Sequence, residues 1–140
     1  MRIYDIGFTA GAFDLFHVGH LNIIRKSKNL CKYLIVGVLS DEYILKTKGR
    51  KPVISCENRM EIIKSIRYVD EVVKIDFHNT LKCDAWKLYH FNVCFSGDDH
   101  AWEDLWKKDK ENLKKLGVEL IYFPYTKSVS STIIKKKLEI

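Results

Sequence analysis

The 140-residue sequence predicts an α/β fold, a parallel sheet of about five strands with helices on both faces, and three observations carry that prediction. Short runs rich in β-branched and aromatic residues alternate along the chain with amphipathic segments of helical period. The strand runs are short and largely apolar, as strands buried on both faces are. No internal repeat, low-complexity stretch or linker interrupts the alternation, so residues 1–140 are expected to form one domain, a length at which a chain buries about two-thirds of its unfolded surface.

In chain order, the first strand is expected over Ile3 to Thr9 and opens into Gly11 to His20, followed by a helix over Gly19 to Cys31. Tyr33 to Val38 reads as the second strand. Lys46 to Arg59 then reads as a connecting segment in which Ser55 caps a helix over Glu57 to Tyr68. Glu71 to Ile75 is the third strand, and Thr80 caps a helix over Leu81 to Tyr89. Val93 to Ser96 is the fourth strand. A helix over Glu103 to Leu116 carries Lys114 and Lys115 in its last turn and is stopped by Gly117. Val118 to Phe123 completes the strands, and a helix over Ser131 to Leu138 closes the sequence.

Composition narrows the function. Hydrophobic residues make up 46% and charged residues 30%, ordinary values that exclude disordered and collagen-like classes. The amino-terminal MRIYDIGFTAG has an acid inside its apolar run and no small-residue cleavage site after it, so no secretory signal is expected, and no stretch approaches a membrane span. Cys31, Cys56, Cys83 and Cys94 form no C-x-x-C pair or Cys/His cluster; reduced thiols in a cytoplasmic protein are the expectation. A net charge of +6 favours anionic partners without choosing between nucleotides, phosphorylated metabolites and nucleic acid. Lys135, Lys136 and Lys137 read as a solvated helical face.

In open parallel sheets the ligand lies beyond the carboxyl ends of the strands, where strand order reverses. Four segments meet that condition: Gly11 to His20, Lys46 to Arg59, Gly97 to Asp99 and Thr126 to Thr132. The first carries the chemistry. His17 and His20, three apart at a helix start, can point one way, and the free N–H groups of that helix end favour phosphate. Two histidines at this spacing alone would equally suit a metal, but no spacing ties His78, His90 or His100 to the pair as a third ligand.

The ten residues Gly-Ala-Phe-Asp-Leu-Phe-His-Val-Gly-His at 11–20 strongly resemble the G-x-F-D-x-x-H-x-G-H signature of the cytidylyltransferases, part of the wider H-x-G-H nucleotidyltransferase superfamily. The resemblance covers nearly the whole chain and is greatest to the glycerol-3-phosphate cytidylyltransferases of bacteria. It implies a Rossmann-like sheet, Mg²⁺ with CTP as co-substrate, a small phosphorylated acceptor, release of pyrophosphate, and a homodimer, with neither nucleic acid nor membrane as partner. His17, His20 and Lys48 are implied as catalytic. Thr9, Ala10, Gly11, Ala12, Phe13, Asp14 and Gly19 are implied at the nucleotide, together with Arg59 from the E-x-R element, Gly97, Asp98 and Asp99 from the G-D-D turn, and Ser130, Ser131 and Thr132. Lys46 and Lys127 are implied at the substrate, Arg67 at the substrate or at a partner subunit, and no protein metal ligand is assigned.

The family's R-T-E-G-I-S-T-[ST] segment appears here as Tyr125-Thr126-Lys127-Ser128-Val129-Ser130-Ser131-Thr132. The hydroxyl-rich end is kept, but Tyr125 replaces the arginine and Lys127 the glutamate. A lysine does not reproduce a bidentate arginine fork, so CTP against ATP and the identity of the acceptor stay open at this point. Asp14 reads either as a contact to nucleotide or histidine or as a turn stabiliser. Trp102, Trp106, Tyr122 and Tyr125 together suit an aromatic cage for phosphocholine, whereas Trp102 and Trp106, at i and i+4 on a helix, read as core packing. An adenylyltransferase, a non-catalytic nucleotide-binding module and a nucleic-acid-binding protein are the competing readings.

Overall fold

The computed structural model describes residues 3–78, 82–97, 104–124 and 131–138. Eleven elements follow in the order β1 (Tyr4–Gly11), α1 (Val18–Leu30), β2 (Cys31–Leu39), α2 (Asp41–Lys48), α3 (Cys56–Lys64), β3 (Glu71–Ile75), α4 (Lys82–Tyr89), β4 (Val93–Gly97), α5 (Asp104–Lys115), β5 (Glu119–Phe123) and α6 (Ser131–Lys137). The strands form one sheet of order β3-β2-β1-β4-β5, and every neighbouring pair is parallel. This is the expected Rossmann-like α/β architecture. The order reverses between β1 and β4, which places the switch point at their carboxyl ends.

Alternation along the central strands builds two apolar layers. Leu34, Val36 and Val38 of β2 join Ile24, Cys56 and Ile63 from the α1 and α3 side, whereas Ile35 joins Phe8, Ala85, Phe91, Cys94 and Leu113 from the α4 and α5 side. Side chains of the neighbouring strands crowd Gly37 of β2, where an added Cβ would lie 2.6 Å from Ile75 Cγ1 of β3 and 3.2 Å from Phe8 Cζ of β1. Cys31, Cys56 and Cys94 are buried thiols within these layers.

Two expectations need correction. Residues 41–48, read within or just before a connecting segment, form α2. Ser40 accepts a hydrogen bond from the Tyr43 amide at 3.0 Å, Asp41 and Glu42 occupy the first turn, and Gly49 ends the helix at φ +79°. The helix is short, with Ile44 its one buried residue, so it leaves little period to detect. The helix expected to run to Tyr68 stops at Lys64. Residues 65–70 turn instead, because Asp70 is drawn back to β2: its carboxylate accepts from the Leu34 amide at 2.7 Å and pairs with Lys28 at 2.6 Å. Ser55 caps α3 as expected, accepting from the Asn58 amide. Thr80 lies outside the described residues.

Candidate active site

β1 delivers the chain to the switch point, and the turn after it is held in an uncommon conformation. Phe13 and Leu15 both adopt left-handed φ, +52° and +51°, a conformation that costs a side-chain-bearing residue about 1–3 kcal/mol and persists only when its surroundings impose it. Those surroundings are visible. Phe13 is buried with its ring edge-on to His20, and Asp14 between the two strained residues is 3% exposed. The Asp14 carboxylate accepts from the amides of Val53 (2.8 Å) and Ile54 (2.9 Å) and pairs with Lys135 at 3.0 Å. Burial alone would raise its pKa; the two amides and the lysine outweigh burial and hold it below the usual carboxylate value. Of the two roles open for Asp14, the structure shows the turn stabiliser.

The histidines cap α1 reciprocally. His17 is the N-cap residue, and its Nδ1 accepts from the Gly19 amide at 3.0 Å, while His20 Nδ1 accepts from the His17 amide at 3.3 Å. This is a capping box with imidazoles where hydroxyl and carboxylate groups are usual. Because each Nδ1 is an acceptor, the proton of each neutral ring sits on Nε2. The rings stack with centroids 3.9 Å apart. Burial lowers the His17 pKa, and burial followed by the neighbouring His17 pushes His20 down to about 4 against an opposing pull from Asp14. Both rings are therefore neutral Nε2–H donors near pH 7. The His17 Nε2 is buried and has no protein hydrogen-bond partner among the described residues, although such atoms are normally satisfied.

Arg59 corrects an expectation. It was implied at the nucleotide, yet it is fully buried, with every nitrogen engaged: Nε donates to Ile54 O, Nη1 to Ala12 O and Leu39 O, and Nη2 to Asp41 Oδ1, all within 2.7–2.8 Å. It ties the β1 turn, the end of β2, the start of α2 and the segment before α3 into one frame. Thr9 is likewise structural in its contact, since its buried hydroxyl donates to Phe95 O and joins β1 to β4 at the switch point. Gly19, in the first turn of α1, is buried. An added Cβ at Gly11 would meet the Phe13 ring at 3.3 Å.

Lys46 and Lys48 stand exposed in the last turn of α2 rather than in a loop. The cations that gather beside the Asp14 turn are Arg50, Lys51 and Lys135, which with Val53 line a cleft of about 180 Å³. Lys135 was read as a solvated residue; it turns inward, and only a contact across the fold could have revealed it. Arg67 is not brought to this site. It is exposed, donates to the Tyr68 hydroxyl at 2.9 Å, and precedes β3, which places it at the amino edge of the sheet, opposite the switch point. Gly97 closes β4 beside Phe123. Ser131 and Thr132 open α6, while Asp98, Asp99, Trp102, Tyr125, Lys127 and Ser130 lie outside the described residues. A larger cleft of about 530 Å³ between α3 and β3 has Glu57, Glu61, Asp70 and Glu71 in its lining, an acidic setting unsuited to phosphates.

A family model described as cytidylyltransferase-like matches residues 8–137, a span that runs from β1 through α6 and contains the whole histidine turn. The chain belongs to the cytidylyltransferase-like family. Relatives within reach include a FAD synthase of Pyrococcus abyssi, 37% identical over 93% of this chain and 90% of its own, and a glycerol-3-phosphate cytidylyltransferase of Bacillus subtilis, 36% identical over 93% and 94%. Part of an ethanolamine-phosphate cytidylyltransferase of Dictyostelium discoideum is also similar, 41% identical over 65% of this chain and 25% of its own. Among solved structures, a lipopolysaccharide core biosynthesis protein from Thermoplasma volcanium shares the fold, with a TM-score of 0.72 at 21% identity over 86% of this chain and 96% of that one. Like these curated relatives, this cytidylyltransferase-like chain is a nucleotidyltransferase. Among the described residues no helix is long and apolar enough to cross a membrane, and no group of three or more His, Cys, Asp or Glu is placed to hold a metal ion.

Proposed function

We propose that this enzyme transfers CMP from CTP to a small phosphorylated alcohol, glycerol 3-phosphate first among candidates, giving a CDP-alcohol and pyrophosphate. The observation that carries the reading is the imidazole capping box at the switch point, with the buried His17 Nε2 lacking a protein partner among the described residues. Two neutral N–H donors and a helix end suit phosphate oxygens, and the similarity to the Bacillus subtilis enzyme over nearly all of both chains supports the choice of nucleotide and acceptor.

In this reaction an acceptor phosphate oxygen attacks the α-phosphorus in line, a new P–O bond forms, and the bond to the β-phosphate breaks with its electrons leaving on pyrophosphate. The acceptor monoester is already ionised near neutral pH, so no base is needed to take its proton. His17 and His20 hold the phosphates and stabilise the charge that develops in transfer. Arg50, Lys51 and Lys48 supply cations at the same edge, with Ser130, Ser131 and Thr132 as further donors. Mg²⁺ enters as part of the Mg–CTP substrate. A cytoplasmic homodimer completes the reading, and sedimentation velocity tests the dimer.

Pyrophosphate release with Mg²⁺ and CTP against glycerol 3-phosphate, phosphoethanolamine, phosphocholine and other polyol phosphates is the deciding experiment. Turnover is expected with CTP and one acceptor, falling about 10²–10³-fold in His17→Ala, the usual cost of removing one preorganised donor. The similarity to FAD synthases favours one second reading, adenylyl transfer from ATP to FMN. Turnover with ATP and FMN, and none with CTP, would replace the first reading by the second.

A further inference from the structure

We propose that Lys135 is a positioning residue of the transfer site: by pairing with the buried Asp14 carboxylate it holds the strained turn that presents His17. Lys135 lies on the last helix, and its ammonium sits 3.0 Å from Asp14 Oδ2, with side chains only 17% and 4% exposed. Its neighbours Lys136 and Lys137 are exposed, so the helix turns one of its three consecutive lysines inward. Asp14 is the point where three segments meet. Its own turn carries left-handed residues on either side, its oxygens receive the Val53 and Ile54 amides that follow Arg50 and Lys51, and Lys135 reaches it from α6.

Arg59 supports the same turn through the carbonyls of Ala12 and Ile54 but does not touch the Asp14 carboxylate in any of its four bonds. Lys135 is thus a cation that compensates a nearly buried carboxylate beside two strained residues, three positions before His17. Without it the desolvated charge loses this ion pair, and the turn loses part of what imposes its conformation. Small displacements of a positioned donor are costly in rate, about a hundredfold for 1 Å. The inference rests on the nucleotidyl-transfer reading for its kinetic consequence, and the geometry itself does not.

The test uses the full chain with Lys135→Met, Lys135→Arg, Asp14→Asn, the Lys135→Met/Asp14→Asn double variant and Lys136→Met. It reads kcat, KM for CTP, and amide hydrogen exchange at Val53 and Ile54. Lys135→Met is expected to lower kcat about tenfold or more, to change KM for CTP by less than about threefold, and to speed exchange at both amides. Lys135→Arg should recover most of the rate, Lys136→Met should match the unmodified chain, and in the Asp14→Asn background Lys135→Met should cost no further kcat. Unchanged kcat and exchange in Lys135→Met would overturn the proposal. So would a loss that falls on KM and persists in the Asp14→Asn background, which would make Lys135 a direct phosphate contact. If the unmodified chain turns over no nucleotide, the proposed reaction fails, and the exchange rates at Val53 and Ile54 still decide whether Lys135 holds the turn.

Discussion

Single residues at the switch point show how one side chain can serve both fold and chemistry. His17 and His20 use Nδ1 to cap α1 and thereby leave Nε2–H free to meet an anion. Their lowered pKa values tie this arrangement to pH. Above 6.5 the imidazole is neutral in both folded and unfolded chains and its stabilisation is complete. As pH falls from 6.5 toward about 4, the unfolded chain takes up a proton that folded His20 refuses, and stability is lost across that window. The urea midpoint should therefore fall between pH 7 and pH 5, and His20→Gln should flatten the fall; an equal fall in both proteins would assign it elsewhere. Arg59 makes the opposite point, because a residue that reads as a phosphate ligand is a buried frame. Arg59→Met should cost about 3–5 kcal/mol in urea unfolding, since it strands the carbonyls of Ala12, Leu39 and Ile54 and the Asp41 carboxylate.

Elements are set by signals of a few residues, and their legibility follows from length. α1 and the strands were readable because a periodic apolar pattern runs through each, and their ends fell within two residues of expectation. α2 was not, because eight residues with one buried side chain offer caps but hardly a period. Those caps are testable. Gly49 has φ +79° and open space where a Cβ would go, so Gly49→Ala should cost about 1 kcal/mol through backbone strain alone. Ser40→Ala should cost about 1 kcal/mol by freeing the Tyr43 amide, and more if the bond from Ser40 to Asp76 adds to it; thermal unfolding of both variants checks the pair. α3 illustrates the limit of period as a guide. Its helical pattern continues past Lys64, but Asp70 bonds to β2 and Lys28 and redirects the chain.

Across the whole molecule, the parallel order β3-β2-β1-β4-β5 brings residues from the two ends of the chain to one edge of the sheet. Side chains of adjacent strands pack tightly enough over the sheet that one added carbon should register. Gly37→Ala places a Cβ 2.6 Å from Ile75 Cγ1 and should destabilise by about 1–3 kcal/mol, read as a lower urea midpoint with an unchanged slope. The sequence by itself determined the α/β class, the strands, the histidine pair at the start of α1 and the nucleotidyltransferase family, because periodicity, caps and a ten-residue turn are local patterns written in consecutive residues. Only the tertiary structure decided that Arg59 is a frame, that Arg67 stands at the far edge, that Asp14 fastens the turn and that Lys135 faces inward. Each of these depends on contacts between segments as distant as Arg59 and Ala12, separated by 47 positions, or Lys135 and Asp14 from opposite ends of the chain. Burial and charge pairing are properties of what a side chain meets after folding, and no run of neighbouring residues encodes that meeting.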